Sequence, residues 1–329
     1  MIYSKDVSAL GLCSGGLDSI LAALILQKQK INVQWISFET PFFSSENAKK
    51  AAESSGIHLY VKNITDIYLG MLKNPDGGYG KYMNPCRDCH ALMFKIAGGM
   101  MEENGFDFLF SGEVAGQRPF SQTKPALRYV EKRSGYDGYI LRPLSARCLP
   151  ETIPEKEGKV NRAMLLDFSG RTRTPQIKLA QEMGIIEYPT PAGGCLLTDK
   201  GYSVRLRDLF EHQVNYMHDD LYLLKYGRHL RLNCKTKIII GRNELDNKNI
   251  LKYYNLKHDT LIGMKNLPGP VTLMKNSGRE DVLTAASICA GYSKASMETP
   301  ADVQITTAKG SETVKVMGKS PLSVQKIIL

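Results

Sequence analysis

One stretch near the start constrains this chain more than any other: VSALGLCSGGLDSILAALILQKQK, residues 7–30. Val7 to Cys13 is a short apolar run, which predicts a buried strand. Leu17 to Lys28 places apolar residues at Leu17, Ile20, Leu21, Leu24 and Ile25, the spacing of one helix face. Only Ser14, Gly15 and Gly16 separate the two. A strand, a small-residue turn and a helix N-terminus form an anion site, because free backbone N–H groups and the helix dipole point to one place. Glycine lets the backbone approach phosphate oxygens closely. Cys13, Ser14, Gly15, Gly16, Leu17, Asp18 and Ser19 are therefore candidate phosphate-binding residues, with hydroxyl donors at Ser14 and Ser19. The Asp18 carboxylate would repel phosphate directly, so its role would run through Mg²⁺, which takes carboxylate and phosphate oxygens together.

The following residues alternate in type. Strands are predicted over 31–40, 57–64 and 106–112, and helices over 44–56 and 91–105. This alternation predicts an α/β fold with a parallel twisted sheet and helices on both faces. Ligands then bind at the carboxyl ends of the strands, where Ser14 and the segments after Phe38 and Phe110 would converge. The Gly-rich KNPDGGYGKY, residues 73–82, reads as a flexible loop over the site and not as a phosphate cradle. Trp35 reads as core.

The chain changes character toward its end. Residues 1–200 carry 24 basic and 21 acidic side chains, and residues 201–329 carry 19 and 12, so the smaller part holds most of the net charge of +10. Such an excess favours phosphate-rich partners, nucleic acid above all, although a solvated basic surface gives the same count. The domain organisation read from these shifts is 1–205, a helical connection 206–225, and a basic α+β domain 226–329. No apolar run reaches the ~18 residues of a membrane span. No secretory signal is visible, which predicts a cytoplasmic, reducing location. Seven cysteines in such a compartment argue against a disulfide framework. Most sit in apolar company; Cys86, Cys89 and Cys195 do not.

SGGLDS directly after a buried strand resembles the pyrophosphate-binding loop of the PP-loop (N-type) ATP pyrophosphatases. It is neither a Walker loop nor a dinucleotide fingerprint. The resemblance implies ATP and Mg²⁺ as cofactors, cleavage between the α- and β-phosphates, and Phe38 near the adenine. Three further segments select within the superfamily. FLFSGEVAGQRPFSQTKPAL (108–127), with Gly112, Glu113, Gly116, Gln117, Ser121, Gln122 and Thr123, resembles a segment of tRNA 4-thiouridine synthases, and ILRPLS (140–145) resembles the strand that follows there. RPF before Ser121 departs from that family's spacing. NPCRDCHALMF (84–94) resembles the cysteine segment of tRNA 2-thiouridylases, with His90 where Asn is usual. PTPAGGCLLTDKGYS (189–203) resembles the region of their second cysteine.

The cysteines admit several readings. Asn84 predicts a helix cap, Pro85 a first helical turn, and Cys86 and Cys89 lie one turn apart near a helix N-terminus that would favour the thiolate. Three thiols suit a [4Fe-4S] cluster on Cys86, Cys89 and Cys195, as in the cluster-dependent tRNA thiolases they resemble. A persulfide pair needs only two thiols. Zinc would want a fourth ligand, and His90 is awkwardly adjacent to Cys89.

The basic part resembles the RNA-binding domain of the NFACT family through GRHLRL (227–232), IIIGRNELDNKNI (238–250), LPGPVTLMKN (267–276) and AASICAGYSKA (285–295). Arg228, His229, Arg231, Arg242, Asn243, Lys248, Lys265 and Lys275 are the candidate RNA contacts, holding phosphates rather than reading bases. His229 reads equally as a hydrogen-bonded structural histidine. Together the resemblances imply an ATP-dependent tRNA uridine thiolase with catalytic Asp18, Cys86, Cys89 and Cys195. Its partners would be tRNA and a sulfur donor (a cysteine desulfurase, a sulfur carrier or free sulfide), with no membrane, and a homodimer is compatible. Rival readings are a PP-loop enzyme of small-molecule sulfur insertion and a non-catalytic RNA-binding factor.

Overall fold

The computed structural model describes residues 7–188, 194–275 and 279–329. The chain divides into two compact units, 1–198 and 199–329.

The first unit contains β1 (Ser8–Leu12), α1 (Leu17–Gln27), β2 (Asn32–Glu39), α2 (Glu46–Ser55), β3 (Leu59–Asn63), α3 (Thr65–Lys73), α4 (Cys86–Asn104), β4 (Phe108–Ser111), α5 (Lys124–Ser134), β5 (Ile140–Leu141), α6 (Ile153–Lys156) and α7 (Thr174–Glu182). All five strands run parallel in the order β3-β2-β1-β4-β5. Chain order leaves β1 toward β2 and β3, then returns to β4 on its other side. The loops after β1 and β4 therefore part at the carboxyl end of the sheet, which is where open α/β sheets bind ligands. The sheet is buried because its strands are apolar on both faces: Ala9, Leu10, Trp35, Phe108 and Phe110 are at most 1% exposed. Gly11 pairs with Phe110, whose ring occupies the space a side chain at position 11 would need.

The second unit contains α8 (Lys200–His212), α9 (His218–Leu223), β6 (Arg228–Arg231), β7 (Lys237–Ile240), α10 (Glu244–Leu251), β8 (Asp259–Met264), β9 (Thr272–Lys275), α11 (Arg279–Gly291), β10 (Ala301–Thr307) and β11 (Gly310–Val316). Its six-stranded sheet has the order β11-β10-β8-β9-β7-β6, with antiparallel pairing. The sheet buries Leu230, Ile238, Ile240, Ile262 and Val303 together with Ala285, Ala286, Ile288 and Cys289 of α11. Cys289 is thus a small core residue.

Among the described residues no helix is long and apolar enough to cross a membrane.

Candidate active site

The loop after β1 carries the anion-binding geometry. Gly15 has φ +71°, a left-handed conformation, and a Cβ there would collide with the backbone of Asn47 and Ala48. Gly16 is the N-cap of α1, and no side chain caps that end. The helix start is left for another acceptor. Ser14 is exposed, whereas the Ser19 hydroxyl donates to the Gly16 carbonyl at 2.7 Å. Ser19 thus fixes the loop. Cys13 is buried, and burial pushes its thiol up to about 11. Its sulfur accepts from the Gly15 N–H at 3.4 Å, so Cys13 braces the loop as well. Phe38 is 4% exposed on β2.

The loop after β4 meets this one directly. At Gly112 a Cβ would run into the backbone of Asp18 and Ser19. Asp18 then looks toward residues farther along the chain. Gln117 Nε2 donates to its Oδ2 at 3.0 Å, Gln176 Nε2 donates to Gln117 Oε1 at 3.1 Å, and Arg173 Nη2 stands 3.9 Å from Asp18 Oδ1. Three polar atoms in this group are buried without a hydrogen-bond partner: Asp18 Oδ1, Arg173 Nε and Gln176 Oε1. Unpaired buried polar atoms are costly unless something binds them. A carboxylate oxygen and a guanidinium nitrogen left open beside a phosphate-type loop fit a metal–pyrophosphate ligand.

Glu113 follows Gly112 and is buried. Its carboxylate meets His90 Nδ1 at 2.7 Å, Arg142 Nε at 3.0 Å and the Ser111 hydroxyl at 3.1 Å. Burial opposes the charge, but the Arg142 guanidinium and the His90 contact outweigh it and hold the carboxyl at about 2. Arg142, 2% exposed, also pairs with Glu131. Ion pairs therefore tie the loop after β4 to α4 and α5.

The thiols lie at the start of α4. Cys86 is its first residue and the N-cap is Pro85, with no side-chain cap. Asn84, expected from its position to cap the helix, does not cap it. Its side-chain oxygen accepts from the Tyr82 N–H at 3.1 Å, and its amide approaches the Cys86 sulfur at 3.2 Å. Cys195 comes from a distant segment whose approach is set by the Leu196 N–H donating to the Phe42 carbonyl at 2.9 Å. Residues 189–193 of the glycine-containing stretch before it lie outside the described residues. Cys195 and Cys86 both act electrostatically on Cys89, and Cys86 acts on Cys195. The structure thus brings all three thiols together. Tyr68 of α3 is their common neighbour: its hydroxyl bonds Cys89, and its ring packs on Phe42 and Phe43 at 5.6 and 5.4 Å.

A lowered thiol pKa, expected from the helix N-terminus, does not hold at Cys89. Burial pushes that thiol far up, with Cys195 and Cys86 adding to the effect. Cys195 is likewise raised to about 12 by burial, against which Arg118 acts only weakly. Desolvation outweighs the helix dipole here. Among the described residues no three His, Cys, Asp or Glu side chains are gathered to hold one metal ion.

The loop at 73–82 is pinned. Gly77 N–H donates to Asp88 Oδ2 at 2.8 Å, the Tyr79 hydroxyl donates to the Leu72 carbonyl at 2.6 Å, and Arg133 pairs with Asp76. The sequence carried no sign of this, because Asp88 and Arg133 lie on later helices. Tyr68, Arg173 and Gln176 also escape sequence reasoning: each stands far along the chain and belongs to no short motif.

In the second unit the candidate RNA contacts separate. His229 is 1% exposed and its Nε2 meets the Tyr226 carbonyl at 2.9 Å. It is a structural histidine, which removes it from the surface. Arg231 is held by Asp208 at 2.6 Å, and Lys275 by Asp220 and Asp259 at 3.3 and 3.2 Å. Asn243 caps α10 by accepting from the Asp246 N–H at 2.9 Å. Arg242 pairs with Asp246, Lys248 with Glu244, and Lys265 bonds the Thr313 hydroxyl. These three remain accessible, as does Arg228, which lies over the Tyr292 ring at 5.0 Å.

A phosphate-type loop at the switch point of a parallel sheet gives the first unit a PP-loop-like fold. Residues 5–148 match the family described as thiamine biosynthesis protein (ThiI), and residues 227–327 match the NFACT protein RNA binding domain. Two family models thus match this chain, one over the first unit and one over the second, and neither spans half of it. Curated proteins named "Probable tRNA sulfurtransferase" are similar. One from Finegoldia magna is 30% identical over 157 residues, covering 43% of this chain and 37% of that one. One from Thermoanaerobacter sp. is 32% identical over 151 residues, covering 43% and 38%. The chain thus spans under two-fifths of the length of these relatives. Among solved structures, a 4-thiouridine synthetase in complex with RNA and ATP aligns at 24% identity and TM-score 0.38, covering 54% of this chain and 41% of that one.

Proposed function

We propose that this chain is an ATP-dependent tRNA sulfurtransferase that replaces a uracil carbonyl oxygen with sulfur. The observation that carries the reading is one domain that holds both an open PP-loop and the Cys86–Cys89–Cys195 cluster, in a chain that also has an RNA-binding domain.

ATP would sit with its phosphates on the loop from Ser14 to Asp18. Mg²⁺ would take the open Asp18 Oδ1, and Arg173 would pair with phosphate oxygens. The uracil oxygen attacks the α-phosphorus, the bond to the bridging oxygen breaks, and pyrophosphate leaves with that electron pair. A sulfur nucleophile then adds to the ring carbon, and AMP departs with the former carbonyl oxygen. Adenylation is needed because a carbonyl oxygen is a poor leaving group.

Sulfur delivery falls to the thiols. Their three-fold donor set suits a [4Fe-4S] cluster, which when bound would supply an iron site able to hold sulfide. A persulfide on one thiol, resolved by a second, is the competing scheme. It leaves a disulfide and so requires a thiol reductant. In either scheme Tyr68 donates to Cys89, and Phe42 and Tyr68 keep bulk water away. The sulfur donor would be a desulfurase, a carrier or free sulfide.

Mass spectrometry of tRNA nucleosides from a deletion strain tests the whole reading: one thiouridine should disappear, and an unchanged thionucleoside profile would refute it. Anaerobically purified protein should carry about four irons per chain. A colourless preparation that still thiolates tRNA would select the persulfide scheme.

A further inference from the structure

The loop from Val114 to Gln122 joins the phosphate loop to the thiols. It is closed on itself: the Gly116 N–H donates to the Gln122 carbonyl at 2.7 Å, and the Gln122 N–H donates to the Arg118 carbonyl at 2.9 Å. The Gly170 N–H donates to the Ala115 carbonyl at 2.8 Å and fastens the base of the loop. One shoulder reaches the phosphate loop, where Gln117 Nε2 meets Asp18 Oδ2 at 3.0 Å. The other shoulder reaches the thiol helix. The Phe120 ring lies under the Arg87 guanidinium at 4.8 Å, and Arg87 follows Cys86 at the start of α4. Arg118 stands between these two attachments.

The Arg118 side chain is exposed, and among the described residues no carboxylate pairs with it. Its charge reaches the Cys195 sulfur. Arg173, by contrast, stands 3.9 Å from Asp18 Oδ1. The site thus has two cations with different addresses. One lies beside the carboxylate that would hold Mg²⁺, and the other lies between that carboxylate and the thiols. Arg118, Pro119 and Phe120 are also the residues that depart from the spacing of the 4-thiouridine synthase segment.

We propose that Arg118 is a catalytic residue of the sulfur step, its guanidinium paired with the phosphoryl oxygens of the adenylated uridine while sulfur displaces AMP. The inference rests on the sulfurtransferase reading above. In adenylated uracil the ring nitrogen beside the activated carbon has no proton. Hydrosulfide, or the outer sulfur of a persulfide, adds to that carbon. The bond from the carbon to the adenylate oxygen breaks, and AMP leaves with its electron pair. From hydrosulfide the proton passes to the ring nitrogen; from a persulfide, the second thiol then cleaves the S–S bond and supplies that proton. The phosphoryl group goes from one negative charge to two as it departs. A guanidinium meets two phosphate oxygens at once, and a cation aimed at charge that develops in the transition state speeds the step. Arg173 serves the pyrophosphate that leaves first, and Arg118 the AMP that leaves second.

Single-turnover reactions of the holoprotein separate the two steps. They contain unthiolated tRNA, ATP radiolabelled at the α-phosphate, cysteine, a cysteine desulfurase and a thiol reductant, without oxygen. Arg118→Met should release pyrophosphate within about three-fold of the parent, hold the label on tRNA, and form thiouridine about ten- to a hundred-fold more slowly. Label trapped on tRNA also shows that the variant is folded. Arg118→Lys keeps the charge but not the paired geometry, and should recover part of the rate. Thiolation by Arg118→Met within about two-fold of the parent overturns the proposal. Equal loss of pyrophosphate release in both variants also overturns it, since Arg118 would then serve ATP. So does full recovery at saturating tRNA, which would make Arg118 a contact to the RNA backbone. A parent chain that neither labels nor thiolates tRNA strikes the sulfurtransferase reading itself, whereas an active parent with an equally active Arg118→Met strikes only the role of Arg118.

Discussion

His90 Nδ1 and Glu113 Oε1 stand 2.7 Å apart, and this pair fastens the helix that carries Cys86 and Cys89 to the loop that packs on Asp18. The thiols and the phosphate loop thus share one buried anchor. Its energetics follow from Glu113, whose carboxyl is held at about 2 against a usual 4.5. A depressed folded pKa stabilises the fold above the unfolded value, and this contribution is lost as pH falls from about 4.5 to about 2. The magnitude is on the order of 3 kcal/mol. Acid titration of the thermal midpoint should show that loss, and Glu113→Gln should flatten it. A variant with an unchanged acid limb would contradict the role given to Glu113.

Asp18→Asn should reduce ATP–pyrophosphate exchange by at least about a hundred-fold, because the neutral amide no longer balances a divalent cation. Arg173→Met should weaken exchange by about ten- to a hundred-fold without unfolding the domain, since its ion pair with Asp18 spans 3.9 Å and its Nε makes no hydrogen bond. Exchange kinetics at saturating and limiting ATP would separate binding from turnover.

Cys195→Ala should leave pyrophosphate release within about three-fold of the parent and abolish thiouridine formation, because adenylation and sulfur delivery use different groups. Full thiolation by the variant would remove Cys195 from the sulfur pathway. Tyr68→Phe keeps the ring that packs on Phe42 and removes only the bond to Cys89. It should lower thiolation several-fold while exchange continues.

The basic domain allows a contrast between exposed and buried cations. Replacing Lys248 and Lys265 with alanine should reduce the slope of log affinity for tRNA against log salt by up to about 1 per residue, with stability unchanged. Lys275→Ala should instead destabilise the domain by about 3–5 kcal/mol, because Asp259 is left buried without its partner. Filter binding across salt concentrations and thermal melts would distinguish the two effects.

The first strand, loop and helix were legible because everything they need lies within residues 7–28. The parallel sheet followed from alternation alone. The thiol pocket was half legible. Its cysteines could be named, but Tyr68, which joins them, lies on α3 and carries no local signal. The raised thiol pKa was misjudged because a helix terminus is visible in sequence, whereas burial depends on segments that arrive from elsewhere. His229 failed as an RNA contact for a similar reason: pairing with β7 buries both His229 and Leu230 and leaves only the flanking Arg228 and Arg231 partly exposed. Flanking arginines conceal which face a strand residue takes.

The close approach of Gly112 to the Asp18 backbone bears on how an alignment of relatives would be interpreted. The glycine is demanded by packing alone, so it should persist even in descendants that no longer use ATP. The Asp18 side chain is under no such steric demand. Lineages that keep the glycine but lose the aspartate would be fossils of the catalytic form, and conservation at position 112 would be no guide to which members are alive as enzymes.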